Sequence, residues 1–375
     1  MKTKDPRPKA FGTGLIALDL VMGADATSPV QSWAGGTCGN VMAILAYLGW
    51  NSFPIARMNG DPASHRVRAD LKRWGVALDF TDCAPTSHTP IIIQQIRQDR
   101  HGSPTHRFLW SCPRCGQRLP SYRPVTQDAI ETVAANLSGA AVFFMDRLSR
   151  AAISLASAAS AQGAVVVYEP SARSDEKLFA EAIQLAHIVK YSDQRLATAG
   201  GTMQAESATL LEVQTLGSDG LRYRHRRGAG ISEWAHLSAI NAPSMVDTCG
   251  SGDWCSAGLL TKVAAHGQVG LRDATSDSIH QALRYGQALA AWNCGFEGAR
   301  GGMYAVDGRT FARQIVSLLE GRPRLSVIAS KAMGDASVAC PACPPEYNSA
   351  DDPKAYSARR LTTKAATAYP KRKNA

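Results

Sequence analysis

The chain has 375 residues, of which 45% are hydrophobic and 19% charged, and its formal net charge is +10. It is long enough to bury a large core, no apolar run approaches the roughly 20 residues of a membrane span, and nine scattered cysteines argue against a disulfide framework. The positive charge suits anionic ligands such as nucleotides and equally suits a nucleic-acid surface, so its distribution matters more than its total.

Residues 1–9 form a charged N-terminal extension with no apolar stretch or cleavage site behind it. That is no signal peptide, and the cytoplasm is the expected location. A buried strand is predicted over 10–22, ending near Asp19. Gly12-x-Gly14-x-x-Ala17 superficially matches a dinucleotide fingerprint, but no strand precedes it and no helix pattern opens from it. Trp33-Ala34-Gly35-Gly36-Thr37-Cys38-Gly39-Asn40 leads into Val41, Ile44, Leu45 and Leu48, a spacing that marks one apolar helix face. Gly35 and Gly36 let the backbone close over a small polar ligand, and Asn40 offers both donor and acceptor.

Alternation of strand and helix continues with a strand over 53–58 and a helix over 62–74. The strand-like runs 89–98 and 105–110, separated by Asp99-Arg100-His101-Gly102, predict a hairpin and hence a small lid that includes about 88–123. Further strands are predicted over 140–145, 164–169, 188–190, 210–215 and 221–226, with helices over 126–137, 149–162 and 175–186. Alternation of this kind implies a parallel sheet with helices on both faces. Arg222, Arg224, Arg226 and Arg227 read as a solvated edge strand.

Asp247-Thr248-Cys249-Gly250-Ser251-Gly252-Asp253 puts small residues where a helix should begin and an acid in its first turn. Unpaired N–H groups and a partial positive charge make such a start a site for a phosphate or a developing oxyanion. Asp253 then stands where it can take a proton from an attacking hydroxyl. The same pattern also serves an ordinary capped helix start. Helices follow over 279–293 and 311–319, separated by Gly295-Phe296-Glu297-Gly298-Ala299-Arg300-Gly301-Gly302. From Lys331 periodicity fades, and the tail carries eight Lys or Arg against four acids. Its composition is that of a basic, flexible segment over 326–375.

Asp-Thr-x-Gly-x-Gly-Asp at 247–253, with Gly-Gly-x-x-x-Asn at 35–40 upstream, resembles the signatures of the PfkB, or ribokinase-like, family of sugar and nucleoside kinases. The resemblance spans roughly 10–320 and implies an α/β fold: a doubly wound, mainly parallel sheet flanked by helices, with a β lid that often forms a homodimer contact. It implies a kinase domain over 10–325 that transfers the γ-phosphoryl of ATP, with Mg²⁺, to a hydroxyl of a sugar or nucleoside. Substrate would be held by Asp19, Gly35, Gly36, Asn40 and Asp253. Catalysis would fall to Asp253 with the amides of Gly250, Ser251 and Gly252. The nucleotide would lie along Ser192, Thr215, Gly217, Gly220, Gly298 and Ala299. No P-loop sequence is present, so that mechanism is not in play.

Two features depart from the family pattern. Where it has Asn or Ser followed three residues later by Glu, this chain has Ser192 and Arg195, with Asp193 as the nearest acid, and 196–207 is short and Gly-rich. An alternative function is therefore a catalytically impaired member that binds sugar or nucleotide as a regulatory module. The second departure is the pair Cys112–Cys115 and Cys340–Cys343. Two Cys-x-x-Cys motifs supply the four thiolates of a closed structural zinc site, and they equally suit free thiols or a redox pair. A nucleic-acid role ranks last, because no interleaving of aromatic and basic residues appears.

Overall fold

Strands buried on both faces need a helix layer on each side, and the long apolar runs of this chain dictate that arrangement. The computed structural model describes residues 6–23, 30–83, 86–100, 104–112, 115–172, 175–196, 203, 207–228 and 230–322. From the N-terminus, β1 (Lys9–Thr13) lies in a large sheet, whereas β2 (Ala17–Met22) and β3 (Gln31–Gly35) join a smaller one. After α1 (Thr37–Tyr47), β4 (Asn51–Met58), α2 (Pro62–Arg73) and the short β5 (Thr81–Cys83), the hairpin β6 (Ile91–Gln98) and β7 (Pro104–Leu109) completes the smaller sheet. Alternation resumes with α3 (Asp128–Ala134), β8 (Ala140–Met145), α4 (Arg150–Ala161), β9 (Val165–Tyr168), α5 (Glu176–Leu185), β10 (Ile188–Ser192) and β11 (Leu211–Thr215). Three further strands, β12 (Leu221–Arg227), β13 (Gly230–Ile231) and β14 (Ala235–Leu237), precede the helices α6 (Ser251–Val263), α7 (Gly267–Asp273), α8 (Ser276–Asn293), α9 (Gly301–Ala305) and α10 (Gly308–Leu319).

The large sheet runs β5-β4-β1-β8-β9-β10-β11-β12-β13, with β14 also paired to β12. It is parallel from β5 to β11 and antiparallel beyond. Successive side chains enter different cores, as a two-residue period requires. Val142, Phe144, Val165 and Val167 pack with Val41 of α1, Leu259 of α6 and Leu283 of α8. Phe143, Met145, Val166 and Tyr168 pack with Val133 of α3, Leu155 of α4 and Phe179 of α5. The expected doubly wound α/β architecture is thus observed, with helices on both faces. On the first face α6 and α8 touch backbone to backbone, because a Cβ on Gly258 would lie 2.7 Å from the Cα of Gly286. No helix among the described residues is long and apolar enough to cross a membrane.

The single strand expected over 10–22 is two strands in different sheets. The chain leaves the large sheet at Gly14, where φ is +144° and a Cβ would fall 1.7 Å from Oδ1 of Asp146; only glycine fits there. Asp19 consequently lies in mid-strand, opposite Trp33 and Ile92. The lid is the four-stranded sheet β3-β2-β6-β7, to which the region 88–123 contributes β6 and β7. Apolar residues on both sides of the break concealed it in the sequence.

The basic strand is not an edge strand, although Arg222 and Arg227 are exposed. β12 sits between β11 on one side and β13 and β14 on the other. Arg224 pairs with Glu212 at 2.7 Å, Arg222 donates to Oε1 of Gln214 at 2.6 Å, and both guanidinium groups lie over the Trp234 ring, at 4.7 and 4.6 Å. The tail 326–375, with Cys340 and Cys343, lies outside the described residues, as does most of 196–207.

Candidate active site

Polar side chains collect where the parallel strands end, beside the start of α6, the usual position for a ligand in an open α/β sheet. Gly250 caps α6 with φ +76°, and a Cβ there would lie 2.3 Å from the carbonyl oxygen of Ala299. No side chain caps the helix; the Ser251 amide donates to the Thr248 carbonyl at 3.3 Å, which leaves the Gly252 and Asp253 amides to face an anion. The segment before it is pinned by Asp247, a residue only 1% exposed. Its Oδ1 accepts from the Cys249 amide at 3.0 Å, and its Oδ2 accepts from the Gly298 amide at 2.9 Å and from Nε2 of Gln94 at 2.6 Å. Gln94 belongs to β6, so one carboxylate ties lid, helix start and glycine loop together. His106 of β7 adds a contact at 3.8 Å to the same carboxylate.

Asp253 is in the first turn of α6 and accepts at Oδ2 from Nδ2 of Asn40, 2.8 Å away. Burial, with Glu169 adding repulsion, pushes its carboxyl up to about 7, against the pull of the Asn40 hydrogen bond, Lys190 and Arg195. Glu169, directly after β9, accepts from Nζ of Lys190 at 3.1 Å and from Oγ of Ser256. Burial works against the Lys190 ammonium, yet Glu169 foremost among its neighbours holds its pKa above the ordinary value. A Cβ on Gly252 would lie 3.7 Å from Nζ of Lys190, so a cation stands over the helix start where an anion would bind.

Asp19 reaches the same region from the lid sheet. Burial raises its carboxyl to about 7, opposed by the Gly36 amide and by the charge of Arg300. Gly35 makes room for it, since a Cβ there would overlap Oδ2 at 1.8 Å. Oδ1 of Asp19 is buried without a hydrogen-bond partner, and so are Oε1 of Gln94, Nδ1 of His106 and Nη1 of Arg300. Buried polar atoms are normally satisfied, so four such atoms around Asp247, Asp253 and Asp19 suit a ligand rich in hydroxyl groups.

The structure thus brings Asp19, Gly35, Gly36, Asn40, Gly250, Ser251, Gly252 and Asp253 to one place. Ser192 and Thr215 end neighbouring strands in register, and Gly217 and Gly220 form the turn after Thr215. Gly298 and Ala299 pack instead at the start of α6, away from that turn: the Gly298 amide donates to Asp247, the Ala299 carbonyl accepts from Nε1 of Trp254 at 3.0 Å, and a Cβ on Gly298 would meet the Trp33 ring at 2.4 Å. Arg195 closes a turn in which its amide donates to the Ser192 carbonyl at 3.1 Å, and Oδ1 of Asp193 caps the Gln194 amide at 2.8 Å. Cys112 is buried and Cys115 half-buried, and neither is in a disulfide.

Sequence reasoning missed Asp146, Glu169, Lys190, Asp70 and the role of Arg300. Asp146 and Glu169 carried a usable signal, an acid directly after a fully apolar strand. Asp146 accepts from the Leu15 amide at 2.9 Å and from Arg147 at 2.7 Å, and burial raises its carboxyl to about 6. Asp70 had no signal, being one charge on an amphipathic helix.

A sequence model of the pfkB family carbohydrate kinases matches residues 21–304. The chain belongs to that family. Its fold is similar to that of Arabidopsis thaliana ribokinase complexed with ribose and ATP, at 18% identity and a TM-score of 0.58 over 84% of this chain and 99% of that one. Fructokinase with bound ATP from Xylella fastidiosa is similar at 17% identity and a TM-score of 0.63, over 84% and 98%. Aminoimidazole riboside kinase from Salmonella enterica, complexed with aminoimidazole riboside and an ATP analogue, is similar at 19% identity and a TM-score of 0.60, over 83% and 99%. At these identities the likeness is one of fold. None of the curated proteins is similar enough in sequence to match.

Proposed function

We propose that the protein is an ATP-dependent kinase that transfers the γ-phosphoryl group to a hydroxyl of a sugar or nucleoside. The observation that carries this reading is the placement of Asp253 in the first turn of an uncapped helix, bonded to Asn40 and raised to about 7. Oδ2 of Asp253 is taken up by Asn40, which leaves Oδ1 to accept the proton of the attacking hydroxyl. As the substrate oxygen bonds to the γ-phosphorus, the bond to the bridging oxygen breaks and ADP leaves. The amides of Gly252 and Asp253 and the ammonium of Lys190 face the charge carried by the phosphates, and positioning with charge neutralisation is most of what this chemistry asks for. Relatives of similar fold bind ribose or aminoimidazole riboside, which supports a sugar or nucleoside acceptor.

The triphosphate fits this helix start and its cation. A protein cage for Mg²⁺ does not: among the described residues no group of three or more His, Cys, Asp or Glu is arranged to hold a metal ion. Mg²⁺ would reach the site through phosphate oxygens and water, as it often does, and no step above depends on protein ligands to it. The test is ADP release across a panel of sugars and nucleosides; silence across the panel from folded, nucleotide-binding protein overturns the reading. A second reading, a regulatory binding module, is favoured by Arg195, a cation close enough to Asp253 to lower its pKa. Nucleotide binding without transfer, with activity appearing in Arg195→Glu, would establish it.

A further inference from the structure

Arg300 is almost wholly buried, at 1% exposure, in the loop between α8 and α9. Its Nε donates to Oδ1 of Asn40 at 3.1 Å, and its Nη2 donates to Oδ2 of Asp70 at 2.9 Å and to the Ala34 carbonyl. Asp70 is itself held: both its oxygens accept from the Tyr304 hydroxyl, at 2.9 and 2.8 Å, and Oδ2 accepts from the Ala34 amide at 2.9 Å. Tyr304 stacks on Trp33, with ring centroids 4.6 Å apart. A chain of contacts therefore runs from α2 through the loop to α1 and on to Asp253.

The chemistry of that chain sets a direction. A guanidinium only donates, so the Asn40 atom facing Arg300 must be the amide oxygen. That turns the NH₂ of Asn40 toward Asp253, where it donates to Oδ2 at 2.8 Å. Without Arg300 the Asn40 amide could rotate and present its oxygen to a carboxylate, which is repulsive. We infer that Arg300 is a positioning residue for the base: it fixes the orientation of Asn40 and so keeps Asp253 ionisable, with one oxygen free for the substrate hydroxyl.

This rests on the proposed role of Asp253, but its main readout needs no substrate. Asp253 is also faced by Glu169 after β9, Lys190 on β10, Arg195 beyond β10, Cys38 of α1 and Cys249 before α6. These stay in place when Arg300 is changed, so a shift can be read against them. The Asp253 carboxyl is titrated by carbon NMR in ¹³C-Asp-labelled protein, assigned with Asp253→Asn. In Arg300→Lys its midpoint should rise by on the order of one unit, as loss of a hydrogen bond to a charged acceptor implies, because one ammonium cannot reach Asn40 and Asp70 together. If Lys leaves the titration at its wild-type position, Arg300 is only a buried counter-charge and the proposal falls. Should Arg300→Lys not fold, the unaltered protein decides: its Asn40 side-chain amide should exchange slowly and shift with the Asp253 titration. Fast exchange, or no coupled shift, overturns the inference. A protein that releases no ADP from any acceptor would overturn the kinase reading and leave this titration intact.

Discussion

Replacing Asp253 by Asn separates the two effects that burial has imposed on this carboxyl. A proton acceptor must be ionised, and with its pKa raised from 3.8 to about 7 only about a tenth of the molecules carry the active form at pH 6, and about a hundredth at pH 5. Turnover in ADP-release assays should therefore fall about tenfold for each unit below pH 7 and level off above pH 8. Asp253→Asn removes the acceptor while keeping shape and size, and should lower kcat by at least ~10²-fold at every pH. Stability moves the opposite way. A carboxyl whose folded pKa lies above its unfolded value favours the fold below about pH 3.8, and that contribution is lost as pH rises through about 7. At pH 8 the ligand-free Asn variant should thus melt above wild type while being nearly inactive. Near-wild-type turnover, or a wild-type profile that stays flat from pH 5.5 to 8.5, would refute the assignment of Asp253 as base.

Asp19→Ala and Asn40→Ala should weaken substrate binding by on the order of 1.5–3 kcal/mol each, the worth of a charge-assisted hydrogen bond, while nucleotide binding persists; unchanged substrate affinity in calorimetry removes them from the substrate site. If Ser192 and Asp193 suffice beside the phosphates, the protein should be an active Mg²⁺-dependent kinase with Arg195 in place, and an inactive wild type rescued by Arg195→Glu shows the opposite. Gly258→Ala puts a methyl 2.7 Å from the Gly286 Cα and should cost on the order of 1–3 kcal/mol, read as a lower thermal midpoint; an unchanged midpoint means that α6 and α8 separate easily. If Cys112, Cys115, Cys340 and Cys343 share one metal, elemental analysis should find about one zinc per chain, lost on truncation before Lys331, whereas metal-free protein with four reactive thiols excludes it.

The sequence made the alternation of strands and helices legible because each apolar run was bounded by glycine or by a cap such as Asp61, Ser149 or Asp175, whose side chains accept from the Ser64, Ala152 and Leu178 amides. It made the helix start at Gly250 legible for the same local reason. What it concealed was long-range. The break at Gly14 is dictated by Asp146, 132 positions away in the chain, and the pairing of Arg300 with Asp70 and Asn40 joins three elements with no shared pattern. The mistaken edge strand shows the same limit: a run of four arginines reads as an edge until β13 and β14 pair beyond it and Trp234 packs under Arg222 and Arg224.

A site gathering Asp19, Asp146, Glu169, Asp247 and Asp253 would repel a triphosphate if every carboxyl were bare and ionised. The structure resolves this in two ways. Some charges are matched in place: Glu169 by Lys190 and Ser256, Asp146 by Arg147, and Asp247 by the amides of Cys249 and Gly298. The others, Asp19 and Asp253, are pushed by burial to about 7, so near neutrality each is only about half ionised. In the proposed roles, protonated Asp19 could donate to a substrate oxygen as well as accept from a hydroxyl, and Asp253 would need its charge only as the hydroxyl attacks. On the proposed reading, phosphates at the helix start would meet Lys190 and the Gly252 and Asp253 amides. Arg195 fits this arrangement as a further cation near Asp253, and its replacement by Glu would add a sixth acid to a site where burial already leaves two of the five only partly ionised near neutrality.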